Sequence, residues 1–492
     1  MNYLLTTVKE NKKYFVFYFV IALLAYSAVV FNDVLFHDDF KRLYFLQRGE
    51  FHGWWFSRLL QNILYRLTSA NLSAPFSYLG ALPQLLALGF YSLLALLVVK
   101  KFSKINYATI FLALAIVLFP YINENMLYKF DSSGMALALL LAGLPLLIPF
   151  KNLLTKAIVT IICIAASMAT YQLAFNAYLI LALFIAMQNL SKGVAFKEAL
   201  KDFLINITLA ALALIVYFVG IRVLLAIRMA LSATAWTIDD AFGRGASETV
   251  SLLQLFPAIL KNIKSYLIFN INYFSAFRLA LIMASLIIFY LCLIKQTLKN
   301  QQVSNALKVL FCLILFLATG VLFLLPTAFI LPAVNYNLYS RYLYSIGIAF
   351  ALIYLYIFNN LPFKLNKFNS IVKIIIFYAG FMFISLTFQN TSFIATNDKR
   401  ITFWVTSINH SLMQLMKEYE INRIEISSSS SWGSEQALLN YLTLFNDIPV
   451  GPSNIQEVTS LPILTANPPY YTIYLDGATA IIIINKQLIG FL

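Results

Sequence analysis

Long apolar runs separated by short polar breaks fill most of this chain. A run of roughly 20 apolar residues crosses ~30 Å of hydrocarbon as a helix. On that measure the pattern predicts helices near residues 14–31, 76–99, 105–119, 134–150, 156–170, 172–190, 203–227, 266–294, 308–331, 342–358 and 371–388. The break at Thr170-Tyr171-Gln172 admits either one bent helix or a tight hairpin. A closed barrel would show short alternating strands instead. The expected architecture is mainly α: a polytopic transmembrane bundle of about eleven spans.

The polar breaks alternate in kind. Lys100, Lys101 and Lys104 end the second run, Lys151 and Lys156 follow the fourth, and Lys192, Lys197 and Lys201 follow the sixth. Lys295, Lys299 and Lys308 fill the connection after the eighth, and Lys364, Lys367 and Lys373 the one after the tenth. Together with Lys9, Lys12 and Lys13 ahead of the first run, these breaks read as the cytoplasmic side. Their basic residues are all lysine. Arg42, Arg48, Arg58, Arg66, Arg228, Arg244 and Arg341 fall in or beside the opposite breaks, as do nearly all carboxylates except Glu10, Glu198 and Asp202. Lysine suffices as a point charge for topology, whereas the planar arginine fork suits phosphate and carboxylate. The chemistry is therefore expected on the outer face.

Four outer segments stand out: residues 32–75, with an amphipathic stretch from Trp54 to Leu67; Pro120 to Ser133; residues 228–265, with Trp236, Asp239, Asp240, Arg244 and Glu248; and Pro332 to Arg341. After the last run the composition turns polar. A helical pattern from Arg400 to Tyr419 precedes strand-like runs at Arg423–Ser427, Tyr471–Leu475 and Ala478–Ile484, with a loop at Ser427–Ser431. This divides the chain into a membrane domain, 1–389, and a small C-terminal α/β domain, 390–492, on the outer side.

Composition agrees. With 61% apolar and 11% charged residues, the chain is excluded from the ordinary soluble class. Cys163, Cys292 and Cys312 all lie within apolar runs, as small buried hydrophobes do. The net charge of +15 could point to nucleic acid, but the lysines sit at span ends, so membrane lipid and not nucleic acid is the expected partner.

Candidate chemistry begins right after the first run, at Phe36-His37-Asp38-Asp39-Phe40-Lys41-Arg42. Charges at a membrane face are functional candidates by default. Asp38 and Asp39 can supply a general base and an electrostatic partner, against the plainer reading of a helix-end cap. In the second segment, Glu124 and Asp131 are seven residues apart and share a face if the turn is helical. The plainer reading there is a surface loop with Tyr121, Tyr128 and Phe130 as an interfacial belt. Arg42, Arg58, Arg341 and Lys129 can hold a phosphate; Trp54, Trp55 and Tyr128 can stack on sugar. No further carboxylate or histidine has ligand spacing, so no metal is assigned, although a divalent ion at Asp38 and Asp39 stays open.

These residues carry a resemblance. The run FHDDFKRLY followed by FHGWWFSRLLQNIL resembles the first outer loop of the Gtr-type O-antigen glucosyltransferases, the serotype-converting membrane enzymes. Members show a DD-x-x-R element, matched by Asp38, Asp39 and Arg42, and then a Gly-Arg element, matched at Arg58 but with Ser57 in place of glycine. PYINENMLYKFDSSGMALALLLAGLP resembles the second outer loop, with Glu124 and Asp131 at matching places. SMATYQLAFNAYLILAL, YSRYLYSIGIAF and QNTSFIATNDKRITFWVTSINHSLM are also similar to the family.

The resemblance implies a GT-C-like glycosyltransferase of the bacterial inner membrane with its active site facing the periplasm. It implies a polyprenyl-phosphate sugar as donor, commonly undecaprenyl-phosphate glucose, a lipid-linked or growing O-antigen chain as acceptor, and no cofactor. Base assistance in such a transfer is worth about 10²–10⁴-fold. Two alternatives stand beside it. One is another polyprenyl-using transferase that modifies lipid A or a protein. The other is a lipid-sugar flippase or transporter, which should carry polar groups through mid-membrane. Here Arg222 and Arg278 are the main candidates for that, and the other charges gather at one face.

Overall fold

The computed structural model describes residues 2–32, 60, 63, 80–231, 252–299, 304–328, 340–360, 367–419, 421, 423–428, 450–452, 463–467, 471–476 and 479–484. Helices α1 (Asn2–Glu10) and α2 (Lys12–Val30) open the chain. After them come α3 (Leu82–Phe102), α4 (Tyr107–Leu112), α5 (Ala115–Leu118), α6 (Ile122–Leu127), α7 (Ser132–Leu147), α8 (Leu153–Met168), α9 (Phe175–Ser191) and α10 (Phe196–Leu231). The set closes with α11 (Leu252–Tyr273), α12 (Ala276–Lys299), α13 (Asn305–Leu324), α14 (Ile346–Asn360) and α15 (Lys367–Leu415).

Among the described residues, seven helical stretches are long and apolar enough to cross a membrane: Lys12–Val30, Leu82–Phe102, Gln172–Ser191, Phe196–Leu224, Ala276–Lys299, Asn305–Thr327 and Ser370–Thr396. The chain is a helical membrane protein. Tyr107–Leu118, Ser132–Leu147, Leu153–Met168 and Ile346–Asn360 are apolar but shorter. Each predicted run therefore meets a helix, while length alone supports seven crossings and not eleven.

Burial separates inner from outer helices. Every residue of α14 from Ile346 to Ile357 is buried, as is most of α3. A helix apolar all round belongs inside a bundle. By contrast, α10 and α13 leave Ile215, Val219, Val223, Leu313, Phe316 and Leu317 exposed, which is the surface that hydrocarbon would cover. Gly347 marks the closest approach inside. A Cβ there would run into the Ala115 carbonyl and come within 3.1 Å of Phe119 Cβ. Small residues at such crossings let backbones meet.

Five readings change. The run at 105–119 is broken at Ala113-Leu114 into α4 and α5. At the far end of α5, just ahead of Pro120, side chains take the free carbonyls: Tyr26 Oη donates to Val117 O at 3.1 Å and Thr387 Oγ1 to Leu118 O at 2.6 Å. Helix ends are stable at membrane depth only where the protein satisfies the backbone. The run at 266–294 is two helices, α11 and α12, parted at Phe274-Ser275. Moreover, α11 reaches back to Leu252, into the segment read as outer loop 228–265. It is amphipathic, with Tyr266 and Asn270 buried and Phe256, Leu260 and Ile271 exposed. Lys261 and Lys264 interrupt its apolar pattern, so a search for uninterrupted runs passes over it. The last run, 371–388, and the helical pattern Arg400–Tyr419 form one helix, α15, which continues unbroken through residues 389 and 390. Arg278 stands in the first turn of α12, at a helix end and not at mid-helix.

Five strands follow: β1 (Arg423–Ser428), β2 (Val450–Pro452), β3 (Ile463–Asn467), β4 (Tyr471–Asp476) and β5 (Thr479–Ile484). They form one sheet in the order β2-β1-β5-β4-β3. β1 runs parallel to β2 and β5, while β4 runs antiparallel to β3 and β5. Ile424 pairs with Ala480 and Ile426 with Ile482; Ile424, Ile473, Ala480, Ile481 and Ile482 are all buried. The strand-like run Arg423–Ser427 is β1, which also takes in Ser428, read as loop.

Candidate active site

The polar segment Pro120–Ser133 does not lie on the surface. Tyr121, Tyr128 and Phe130 are buried, so the interfacial-belt reading is replaced by burial within the bundle. The segment folds as α6, a turn at Tyr128, and the start of α7. Asp131 N and Ser132 N both donate to Tyr128 O, at 3.1 and 2.8 Å. The turn is thus not continuous helix: Glu124 belongs to the first turn of α6, and Asp131 is the N-cap residue of α7.

Neighbours clamp this segment from several sides. Gln84 Nε2, on α3, donates to Met126 O at 2.7 Å. Tyr121 Oη donates to Asn270 Oδ1 of α11 at 2.8 Å, and Tyr273 Oη to Pro120 O at 3.4 Å. Asn390 Nδ2 of α15 donates to Tyr273 Oη at 3.1 Å.

The strongest clamp is Arg341, in the 3₁₀ turn Ser340–Leu343. Its backbone N–H donates to Glu124 Oε2 at 2.9 Å and its Nη1 to Oε1 at 3.1 Å. Nη1 also donates to Tyr128 Oη, and Nη2 to Tyr342 Oη at 3.4 Å. The guanidinium carbon lies 5.1 Å from the Tyr128 ring centroid and 5.2 Å from that of Tyr342, within cation–π range. Three residues assigned to separate roles, Glu124, Tyr128 and Arg341, are therefore one cluster. Two outer segments meet in it, 217 residues apart in sequence.

Beside it, Lys129 and Asp131 are buried, and neither lacks a partner. Among the described residues, the segment and the turn that clamps it thus carry two carboxylates and two cations. Buried charges are tolerated when paired in this way. Asp38, Asp39, Arg42, Trp54, Trp55 and Arg58 lie outside the described residues.

Sequence reasoning did not single out Asn123 and Asn125. They flank Glu124 on α6 and are 4% and 0% exposed. Neither carboxamide has a hydrogen-bond partner, and Ser132 Oγ also lacks one. A buried polar group left unpaired costs about 1–3 kcal/mol. The available signal was Asn-Glu-Asn placed between two apolar runs.

The cluster is therefore an ion-paired, partly unsatisfied polar region set at the ends of apolar helices. A family profile described as Glucosyl transferase GtrII matches residues 27–336, well over half of the chain. The chain belongs to the GtrII glucosyltransferase family. Comparisons with curated proteins and with solved structures each return no match. Within this GtrII chain the match covers Asp38, Asp39, Glu124 and Asp131, while Arg341 lies just beyond its end. A family resemblance expected from the first two outer segments thus meets a family match over the same residues.

Proposed function

We propose that this GtrII glucosyltransferase moves glucose from a polyprenyl-phosphate donor, undecaprenyl-phosphate glucose, to O-antigen on the periplasmic face of the bacterial inner membrane. The family match carries this reading. A polyprenyl chain enters from hydrocarbon, which suits a site at the ends of apolar helices. Lysine-only breaks on the opposite side support a periplasm-facing site, with residues 390–492 on that same side.

The reaction is one displacement. An acceptor hydroxyl oxygen attacks the anomeric carbon as the bond from that carbon to the phosphate oxygen breaks. A carboxylate takes the hydroxyl proton, and polyprenyl phosphate leaves with the bonding electron pair. A single displacement inverts the anomeric centre. The leaving phosphate needs no proton, because cations can balance the charge that grows on it. Arg42, Arg58 and Lys129 are assigned to this task. Both oxygens of Glu124 accept from Arg341, which supports Asp38, Asp39 or Asp131 as the base and gives Glu124 and Arg341 a positioning role. Trp54, Trp55 and Tyr128 are assigned to the acceptor sugar.

The test is transfer of labelled glucose from undecaprenyl-phosphate glucose to O-antigen by purified wild type beside Asp38→Asn and Asp39→Asn. The expected result is transfer by wild type, and loss of about 10²–10⁴-fold in one variant that still binds donor. Movement of labelled lipid between leaflets without transfer would replace the enzyme with a flippase. Retention of the donor's anomeric configuration in the product would replace the single displacement.

A further inference from the structure

Helix α11 lies across the ends of its neighbours. Tyr290 Oη of α12 donates to Cys312 O of α13 at 3.3 Å. Ala276, where α12 begins, is fourteen residues from that contact, and Leu324, where α13 ends, is twelve. At about 1.5 Å per residue, these two helix ends stand at nearly one depth. The last two turns of α11 join them. Tyr266 Oη donates to Phe323 O at 3.0 Å. Tyr273, three residues before α12, donates to Pro120 O at 3.4 Å.

Around α11 the residues sort into three strips. Tyr266 and Asn270 are buried, and Asn270 accepts from Tyr121 Oη of the candidate site. Leu260, Leu267 and Ile271 are exposed and fall within about 40° of one another. Lys264 flanks that apolar strip, and Lys261 follows about 60° further round, with Ile268 between them. Both lysines are exposed, as are Asn272 and Ser265 beyond them. A buried strip, an apolar strip and then a cationic, polar one mark a helix lying in the plane of a membrane interface. Three residues apart, the two lysines are surface neighbours, with Cβ atoms about 5–6 Å apart. Topology does not account for the pair, because the outer side is the one where lysine is depleted.

We propose that Lys261 and Lys264 capture the phosphate of a polyprenyl-phosphate lipid from the outer leaflet, with the start of its chain laid along Leu260, Leu267 and Ile271. This deepens the transferase reading and rests on it for the identity of the lipid. Three features select this occupant. Two neighbouring ammonium groups complement the charge of a phosphate, and lysine stems reach the headgroup level while lying on apolar surface. The apolar strip runs about 16 Å along the helix, so one surface meets both tail and phosphate. The same helix is bonded to the candidate site through Asn270 and Tyr273. Lys264 is six residues before Asn270, about 9 Å along the axis. An ordinary phospholipid matches the first two features and gains nothing from the third. Capture precedes the displacement, so the pair acts on donor binding.

The test combines Lys261→Gln with Lys264→Gln in the full chain, purified into nanodiscs of neutral phosphatidylcholine. The expected result is a KM for undecaprenyl-phosphate glucose raised roughly 30-fold, and roughly 5-fold by either change alone. The kcat should stay at the wild-type value, because the contact is lost equally from ground and transition states. Lys261→Arg with Lys264→Arg should keep the wild-type KM. A second measurement needs no turnover. Undecaprenyl phosphate should raise the thermal midpoint of wild type and raise that of the double glutamine variant less, while the two midpoints without lipid agree. An unchanged KM overturns the proposal. So does a KM difference that appears only in discs enriched in phosphatidylglycerol, which would give the pair to bulk anionic lipid. A lowered midpoint with loss of both constants would make the lysines structural. A wild type protected by undecaprenyl phosphate through these lysines, yet transferring nothing, keeps the capture site and removes the transferase reading. A wild type that transfers while the double variant keeps pace removes the capture site alone.

Discussion

Helix α3 touches two ion pairs of opposite design. Near its start, Gln84 holds the α6 segment whose Glu124 pairs with Arg341 at 3.1 Å. About sixteen residues later, roughly 24 Å along the helix, Lys100 meets Glu10 of α1 at 3.7 Å. The Glu124 and Arg341 side chains are 13% and 22% exposed; those of Glu10 and Lys100 are 60% and 25% exposed. Lys100 adds one bond to Thr7 Oγ1 at 2.9 Å and lies over the Tyr3 ring. Arg341 instead uses its backbone N–H, its fork and two rings on one carboxylate and its neighbours. A single charge pair at a wet surface contributes at most about 1 kcal/mol, and it serves orientation and the seating of α1. A fork shared with backbone fixes where a carboxylate points. The lesson is that lysine and arginine divide the labour of this chain by geometry, with the same formal charge at both ends.

The comparison can be broken most forcefully at Glu124. Glu124→Ala removes the carboxylate that the largely buried Arg341 grips, so transfer should fall by at least about 10²-fold, with roughly 2–4 kcal/mol lost from stability. Steady-state kinetics and thermal unfolding in micelles check both. Arg341→Lys turns the Glu124 pair into a copy of the Glu10–Lys100 pair. Transfer should fall about 10-fold with the charge intact, because the fork is lost; an Arg341→Lys enzyme at full rate would show that charge alone matters. Gly347→Ala adds a methyl where the Ala115 carbonyl already sits, and should lower stability by about 1–3 kcal/mol, read as a lower midpoint. The smallest effect belongs to the Glu10–Lys100 pair. Glu10→Ala should change stability by under about 1 kcal/mol and leave transfer unchanged.

The spans were legible because hydropathy over twenty residues needs no partner: α2, α3, α9, α10, α12 and α13 fall where apolar runs predict them. What failed was continuity. Nothing local reveals that the run at 105–119 breaks at Ala113, that Thr387 and Tyr26 would arrive to satisfy the carbonyls where α5 ends, or that Lys261 and Lys264 interrupt the apolar pattern of a helix without ending it. Glu124, Tyr128 and Arg341 were legible one by one as polar residues on a single face. Their union was not, because it joins segments 217 residues apart, and position along the chain carries no distance. Asn123 and Asn125 were hidden for another reason. Uncharged amides beside a glutamate read as loop until burial shows that no water-facing loop is there.

The 49 residues of α15 form one uninterrupted helix, about 73 Å long, more than twice the ~30 Å of hydrocarbon. Such a rod works like a threaded shaft. Each residue inserted after Thr396 would advance its far end by about 1.5 Å and turn it by about 100°. Reach and azimuth at Leu415 are therefore counted out in residues, and length changes there should act with the rhythm of the helical turn.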